Sequence, residues 1–110
     1  MKIGFDISMT HQQKAGCAWV AEKLSKSLAH GHAENSYVFF DHFIGWINDS
    51  VEQSGIALPK NVSAPLRSVD KSQAHSYWEN VRRTGICEPQ VDIIHSNNFQ
   101  ACRFANTKLV

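Results

Sequence analysis

The chain has 110 residues, 43% of them apolar and 19% charged, with a formal net charge of +1. That length holds one domain, read here as residues 1–110, and the apolar share supplies a core, which excludes a charge-driven disordered tail. The near-neutral charge gives no field that would draw the chain to nucleic acid, and no apolar run approaches the roughly 20 residues that span a bilayer.

Met1-Lys2 leads straight into Ile3-Gly4-Phe5-Asp6-Ile7 without the apolar stretch of a signal peptide, so a cytoplasmic protein is expected. Residues 2–7 read as an opening strand, and 8–15 as a polar loop. Cys17, Val20, Ala21, Leu24 and Leu28 then recur at helical spacing, with Glu22, Lys23, Lys26 and His30 on the other face. Gly31 marks the helix end. Ser36-Tyr37-Val38-Phe39-Phe40 is rich in aromatic and β-branched residues and predicts a second strand. Phe43, Ile44, Ile47 and Val51 have only partial helical spacing, so 41–58 stays unassigned. Residues 61–67 predict a third strand, with Pro65 at an edge or irregularity.

Asp70 and Gln73 form a capping-box pair that opens a second helix over 70–84. Ala74, Tyr77, Trp78 and Val81 are its buried stripe, Arg82 and Arg83 suit its carboxyl end, and Gly85 stops it. Val91–His95 predicts a fourth strand, Phe99–Asn106 a short helix, and Lys108-Leu109-Val110 the opening of another strand. Trp19 and Trp78 are read as packing residues. Strands alternating with helices predict an α/β fold: a Rossmann-like open parallel sheet with helices on both faces, incomplete at its carboxyl end.

The three cysteines, Cys17, Cys87 and Cys102, are odd in number and far apart, so no disulfide framework is implied. Among six histidines only His30 and His32 lie close together, without a nearby third ligand, so no metal site is expected. In an open parallel sheet, ligands bind outside the carboxyl ends of the strands. That rule selects 8–18, 41–46 and 95–99. Lys14 and Gly16 lie at the entrance to the first helix, where free amides and a partial positive charge suit a phosphate. Gly16 as a simple turn residue is an equal alternative. Asp6 closes the first strand and either touches a ligand or bonds a neighbouring loop. Ser8, Thr10 and His11 are polar candidates in the same loop. His95-Ser96-Asn97-Asn98 is a polar cluster suited to substrate hydroxyls, or to a turn. Phe43 and Trp46 offer aromatic faces, with core packing as their commoner fate.

Two stretches carry a resemblance. Lys2-Ile3-Gly4-Phe5-Asp6-Ile7-Ser8, followed by Ala15-Gly16-Cys17-Ala18-Trp19-Val20-Ala21-Glu22-Lys23-Leu24, resembles the start of group 1 (family 4) glycosyltransferases. Val91-Asp92-Ile93-Ile94-His95-Ser96-Asn97-Asn98-Phe99 is similar to that family's Asp-Val-Val-His-Ser strand end, and Lys108-Leu109-Val110 to the strand that follows. The resemblance implies a two-domain GT-B enzyme that moves sugar from a nucleotide-sugar co-substrate to a glycan or lipid-linked acceptor, as in polysaccharide biosynthesis. Transfer in the family retains anomeric configuration and uses no metal or other cofactor. The resemblance places Gly16, Cys17 and Ala18 at the donor diphosphate. It assigns Asp6, His11, His95, Ser96 and Asn97 to the acceptor side. It also implies peripheral membrane contact of a full-length enzyme and no nucleic-acid partner. Ala18 replaces the family's second glycine. The family's active-site histidine follows the strand that begins at Lys108, so no catalytic residue is assigned here.

The expectation is therefore the acceptor-side domain of a glycosyltransferase, inactive without its donor domain and prone to pair as a homodimer. The rival from another class is a non-catalytic α/β binding or regulatory module that supplies part of a site to a partner subunit. A complete small nucleotide enzyme is the weakest reading, because no recognisable phosphate loop, nucleophile or acid–base pair stands out.

Overall fold

Alternation along one strand decides which helix covers which face of the sheet. The structure, a computed structural model, describes residues 1–11, 16–44, 47, 58–97 and 104–110. Strand β1 is Lys2–Asp6 and β2 is Ser36–Phe40. Tyr37 and Phe39 of β2 pack with Phe5, Ile7, Ala21 and Ala29 on one face. Val38 and Phe40 pack with Ile94, Trp78 and Val81 on the other. Successive side chains point to opposite faces, so one strand feeds two cores.

Helix α1 is Cys17–Gly31 and covers the first face; helix α2 is Lys71–Thr84 and covers the second. Short strands β3 (Val62–Ser63), β4 (Ile93–His95) and β5 (Lys108–Leu109) complete the described sheet. Its order is β3-β2-β1-β4-β5, with every pairing parallel. Phe5 sits opposite Phe39 on one side and His95 on the other. This is the expected Rossmann-like α/β arrangement with a helix on each face, open at both edges among the described residues.

The second helix forms as its residues dictate. Asp70 accepts a hydrogen bond from the Gln73 amide at 2.8 Å, and the Gln73 side chain accepts one from the Asp70 amide at 3.0 Å. Two otherwise orphaned donors are thereby satisfied. Gly85 ends α2 with φ of 73°, a left-handed conformation that glycine adopts without a Cβ penalty. Ala74, Trp78 and Val81 are buried, and Tyr77 packs against them half-buried.

The first helix is rotated relative to its apolar pattern. Its buried residues are Ala18, Ala21, Glu22, Ser25 and Ala29, while Cys17 and Val20 are exposed. Small side chains let α1 lie close against the sheet. Lys26, one turn later, reaches the Glu22 carboxylate at 2.7 Å and offsets its burial, while the buried Ser25 hydroxyl donates to the Glu22 backbone carbonyl at 3.0 Å.

Three further expectations need adjustment. Ser8–His11, expected as part of a polar loop, forms a 3₁₀ turn, in which Thr10 bonds the Ile7 carbonyl through both its amide (3.0 Å) and its hydroxyl (2.7 Å). The third strand shrinks to two residues, since Pro65 has no amide to donate and the chain turns at 65–68. Residues 104–106 are not helical, and the rest of the expected 99–106 helix lies outside the described residues. Within 41–58, Phe43 and Ile44 are buried beside Trp78, so Phe43 packs rather than faces a ligand. Trp46 lies outside the described residues.

Tyr77 ties α2 to the segment that follows it. Its hydroxyl donates to the Glu88 carbonyl at 2.7 Å, accepts from the Glu88 amide at 3.2 Å and lies 3.1 Å from the Cys87 sulfur. Burial, and then the neighbouring Cys87 thiol, push its phenol well above its ordinary value of 10.0. Below that value the phenol holds its proton whether the chain is folded or not. Above it, the unfolded chain releases the proton and the folded chain keeps it. Stability therefore falls as pH rises past about 10. Urea midpoints should drop in that window, and Tyr77→Phe should flatten the drop even though it lowers stability at neutral pH. Parallel slopes for the two proteins would remove Tyr77 from the explanation.

Candidate functional site

The order of strands reverses direction at β1, whose chain connections run to β2 on one side while β4 lies on the other. In doubly wound sheets the crevice outside the carboxyl ends at such a point receives the ligand. Asp6 closes β1 and His95 closes β4, so both stand at this point.

Asp6 is fully buried. One carboxylate oxygen accepts from the Ser8 amide at 2.9 Å and from the Ser8 hydroxyl. The other accepts from the Asn97 amide at 3.2 Å. The Asn97 side chain donates in return to the Asp6 carbonyl. The carboxylate thus joins the 3₁₀ turn after β1 to the segment after β4. Of the two roles left open by its position, bonding of neighbouring loops is the one these contacts describe.

His95 stacks on Phe5, with ring centroids 4.7 Å apart and planes 6° from parallel. The stack follows from register, because Phe5 and His95 face each other across adjacent strands. The Ser96 amide donates to the Val110 carbonyl at 3.0 Å and the Val110 amide to the Ile94 carbonyl at 2.8 Å, so β5 steadies the segment from its other side. His95, Ser96 and Asn97 are all half-buried, with edges toward solvent. Four of the expected acceptor-side residues, Asp6, His95, Ser96 and Asn97, therefore come together. The side chain of the fifth, His11, lies outside the described residues.

Gly16 sits at the start of α1 with φ of 40°, where a side chain would strain the backbone. It has no side chain to cap the helix. Cys17 beside it is exposed, and Ala18 is buried against the sheet. The absence of a second glycine is thus compatible with packing, since a methyl group already fits the inner face. The structure corrects the reading of Trp19 as a packing residue. It is 48% exposed, and its neighbour Val20 is 59% exposed. Trp78 is a packing residue as expected.

One ion pair has no local sequence signal. Arg67 reaches Asp41, at the end of β2, through two hydrogen bonds of 3.3 and 3.2 Å, and Asp41 is buried. This pair fixes the turn after β3 against the carboxyl edge of the sheet. Two grooves lie elsewhere, at Arg82 and Arg83, with volumes of about 650 and 430 Å³. Those arginines bond Glu79 at 3.1 Å and Asn80 at 2.7 Å on their own helix, as a solvated helix end does.

Among the described residues, no group of three or more His, Cys, Asp or Glu is placed to hold a metal. His32 contacts Glu34 at 3.3 Å and His30 is exposed. No described helix is long and apolar enough to cross a membrane. No family model, curated protein or solved structure matches the chain.

Proposed function

We propose that the chain is the acceptor-side domain of a retaining, metal-independent glycosyltransferase that moves sugar from a nucleotide sugar to a glycan or lipid-linked acceptor. The Asp6–Asn97 tie carries this reading. It brings the two stretches that resemble the family, 2–8 and 91–99, to one point at the carboxyl edge of the sheet. A shared edge location is what a sugar-transfer cleft requires of them.

In this reading His95, Ser96 and Asn97 offer hydrogen bonds to acceptor hydroxyls. Asp6 holds their segment in place from beneath. Gly16, Cys17 and Ala18 present the first amides of α1 to the donor diphosphate, whose departure is favoured by the helix end. The resemblance assigns most donor contacts to a second domain, so these residues alone bind donor weakly.

Titration of the ¹⁵N-labelled chain with uridine diphosphate and guanosine diphosphate tests this. The amides of Gly16–Ala18 should shift, half-saturating at roughly 1 mM, about 4 kcal/mol of binding, without any shift required at the acceptor-side residues 95–97. Unmoved Gly16–Ala18 amides would defeat the reading and favour a non-catalytic α/β module. Micromolar binding of a whole nucleotide sugar would contradict the division of donor contacts between two domains.

A further inference from the structure

At the amino end of the sheet, opposite the candidate site, three neighbouring strands turn polar side chains to one face. Lys2 of β1 pairs with Ser36 of β2. Ser36 lies two residues before Val38, which faces the α2 core, so Ser36 shares that face. Lys2 shares it too, because the next residue, Ile3, packs on the α1 side. On β3, Val62 packs on the α1 side and so turns Ser63 to the α2 side. These three residues, with Lys60 and Asn61, line a groove of about 210 Å³.

The turn before β3 completes the groove. The Val62 amide donates to the Pro59 carbonyl at 3.0 Å, which sets Lys60 at the second position of a four-residue turn. The Asn61 side-chain amide donates to the Ala29 carbonyl at 3.1 Å and to the Asn35 carbonyl at 3.2 Å. The Asn61 carbonyl accepts from the Tyr37 amide at 2.8 Å. The backbone that carries Lys60 is therefore fixed to the end of α1 and to β2. Among the described residues, neither Lys2 nor Lys60 forms an ion pair. Two carboxylates at this end of the sheet have other contacts. Asp92 accepts from the Lys2 backbone amide at 2.8 Å, and Glu34 lies 3.3 Å from the His32 ring.

We propose that this groove binds a phosphate monoester through Lys2, Lys60, Ser36 and Ser63. Charge and size choose the ligand. Two cations match a dianion, and a phosphate monoester carries about −1.5 to −2 charges at pH 7 with three acceptor oxygens. Lysine binds phosphate as a point charge, and serine hydroxyls donate to the remaining oxygens. At roughly 30 Å³ per water-sized group, the 210 Å³ groove holds about seven such groups. That admits a phosphoryl group and leaves the organic part in solvent. Lys2 and Asp6 stand at opposite ends of β1, about 13 Å apart at ~3.3 Å per residue. The groove is thus a second site, and it does not rest on the glycosyltransferase reading.

The test is titration of the ¹⁵N-labelled full chain, at constant ionic strength, with glycerol 3-phosphate, inorganic phosphate and dimethyl phosphate. Glycerol 3-phosphate should shift the amides of Lys2, Ser36 and 60–63 saturably at neutral pH. Inorganic phosphate should do the same, because the organic part lies outside the groove. Dimethyl phosphate, a monoanion, should barely move them. Binding should weaken as pH falls through about 6, where the monoester takes up its second proton. Lys2→Gln and Lys60→Gln should each weaken binding about threefold to fivefold, the scale of one exposed charge contact, and the double variant should abolish saturation. Neither ammonium is paired within the fold, so these variants should melt like the parent. Equal shifts with dimethyl phosphate would reduce the groove to a diffuse positive patch and overturn the proposal. Binding of inorganic phosphate without glycerol 3-phosphate would overturn the monoester assignment. Unmoved groove amides, or a double variant that binds like the parent, would overturn the site itself, whatever Gly16–Ala18 do.

Discussion

Replacing Trp78 by alanine should remove about 3–5 kcal/mol of stability, the range for a buried aromatic cut to a methyl group. Trp78 is 2% exposed at the centre of the α2-side core. Its ring lies 5.3 Å from Phe40, 4.9 Å from Phe43 and 4.9 Å from Tyr77, centroid to centroid. It is also the hydrogen-bond donor, at 3.2 Å, to the His42 carbonyl. One truncation thus opens a cavity among three rings and removes a partner from a carbonyl just beyond β2. Small domains have only about 5–15 kcal/mol in total, so the midpoint of thermal unfolding should fall by on the order of 15 °C. Trp78→Phe separates the two losses, because it refills most of the cavity but cannot donate to His42. A loss below about 1 kcal/mol for Trp78→Ala would mean that this core collapses around the gap.

Asp6→Ala should cost about 2–4 kcal/mol, with consequences in two places at once. The Ser8 amide and hydroxyl lose their acceptor on one side of the sheet's switch point. The Asn97 amide loses its acceptor on the other. Asp6→Asn keeps the shape but replaces one accepting oxygen with a donor, which would face either Ser8 or Asn97 donors. Hydrogen exchange at Asn97 should accelerate in both variants, alongside the lower urea midpoint. Unchanged exchange at Asn97 would show that β5, through the Ser96–Val110 bond, holds the segment without help from Asp6.

The parts of this fold that were legible in the sequence are those decided by neighbouring residues. The Asp70–Gln73 box, the Trp78 stripe and Gly85 lie within sixteen positions of one another and fix α2 almost unaided. The β-branched and aromatic run of β2 and the strand at 93–95 were legible for the same reason. The face of α1 was not. A hydrophobic periodicity count rewards Val20 and ignores Ser25, whereas close approach to the sheet rewards small volume whatever its polarity. Glu22 defeats the count further, because Lys26 pairs with its carboxylate at the edge of the buried face.

At the candidate site, strand ends were legible as locations and their contacts were not. Asp6 and Asn97 are 91 positions apart, and nothing local to either announces the other. The Arg67–Asp41 pair spans 26 positions and has the same character. Trp19 shows the reverse case. Its type and helical setting favour burial, and only the inward turn of Ala18 and Ala21 leaves it outside.

The central place of β1 also sets a timetable for synthesis. Lys2 pairs with Ser36 on one side, but on the other its amide meets Asp92, 90 residues later in the chain. At roughly 5–20 residues per second, the ribosome leaves β1 without that second neighbour for about 5–20 s after β1 itself is made. β2 arrives well before then and covers one edge. Until β4 follows, the nascent chain exposes the other edge of its middle strand, a template for pairing with another chain. Slowed elongation between β2 and β4 should therefore raise the demand of this protein for chaperones more than the same slowing after β4.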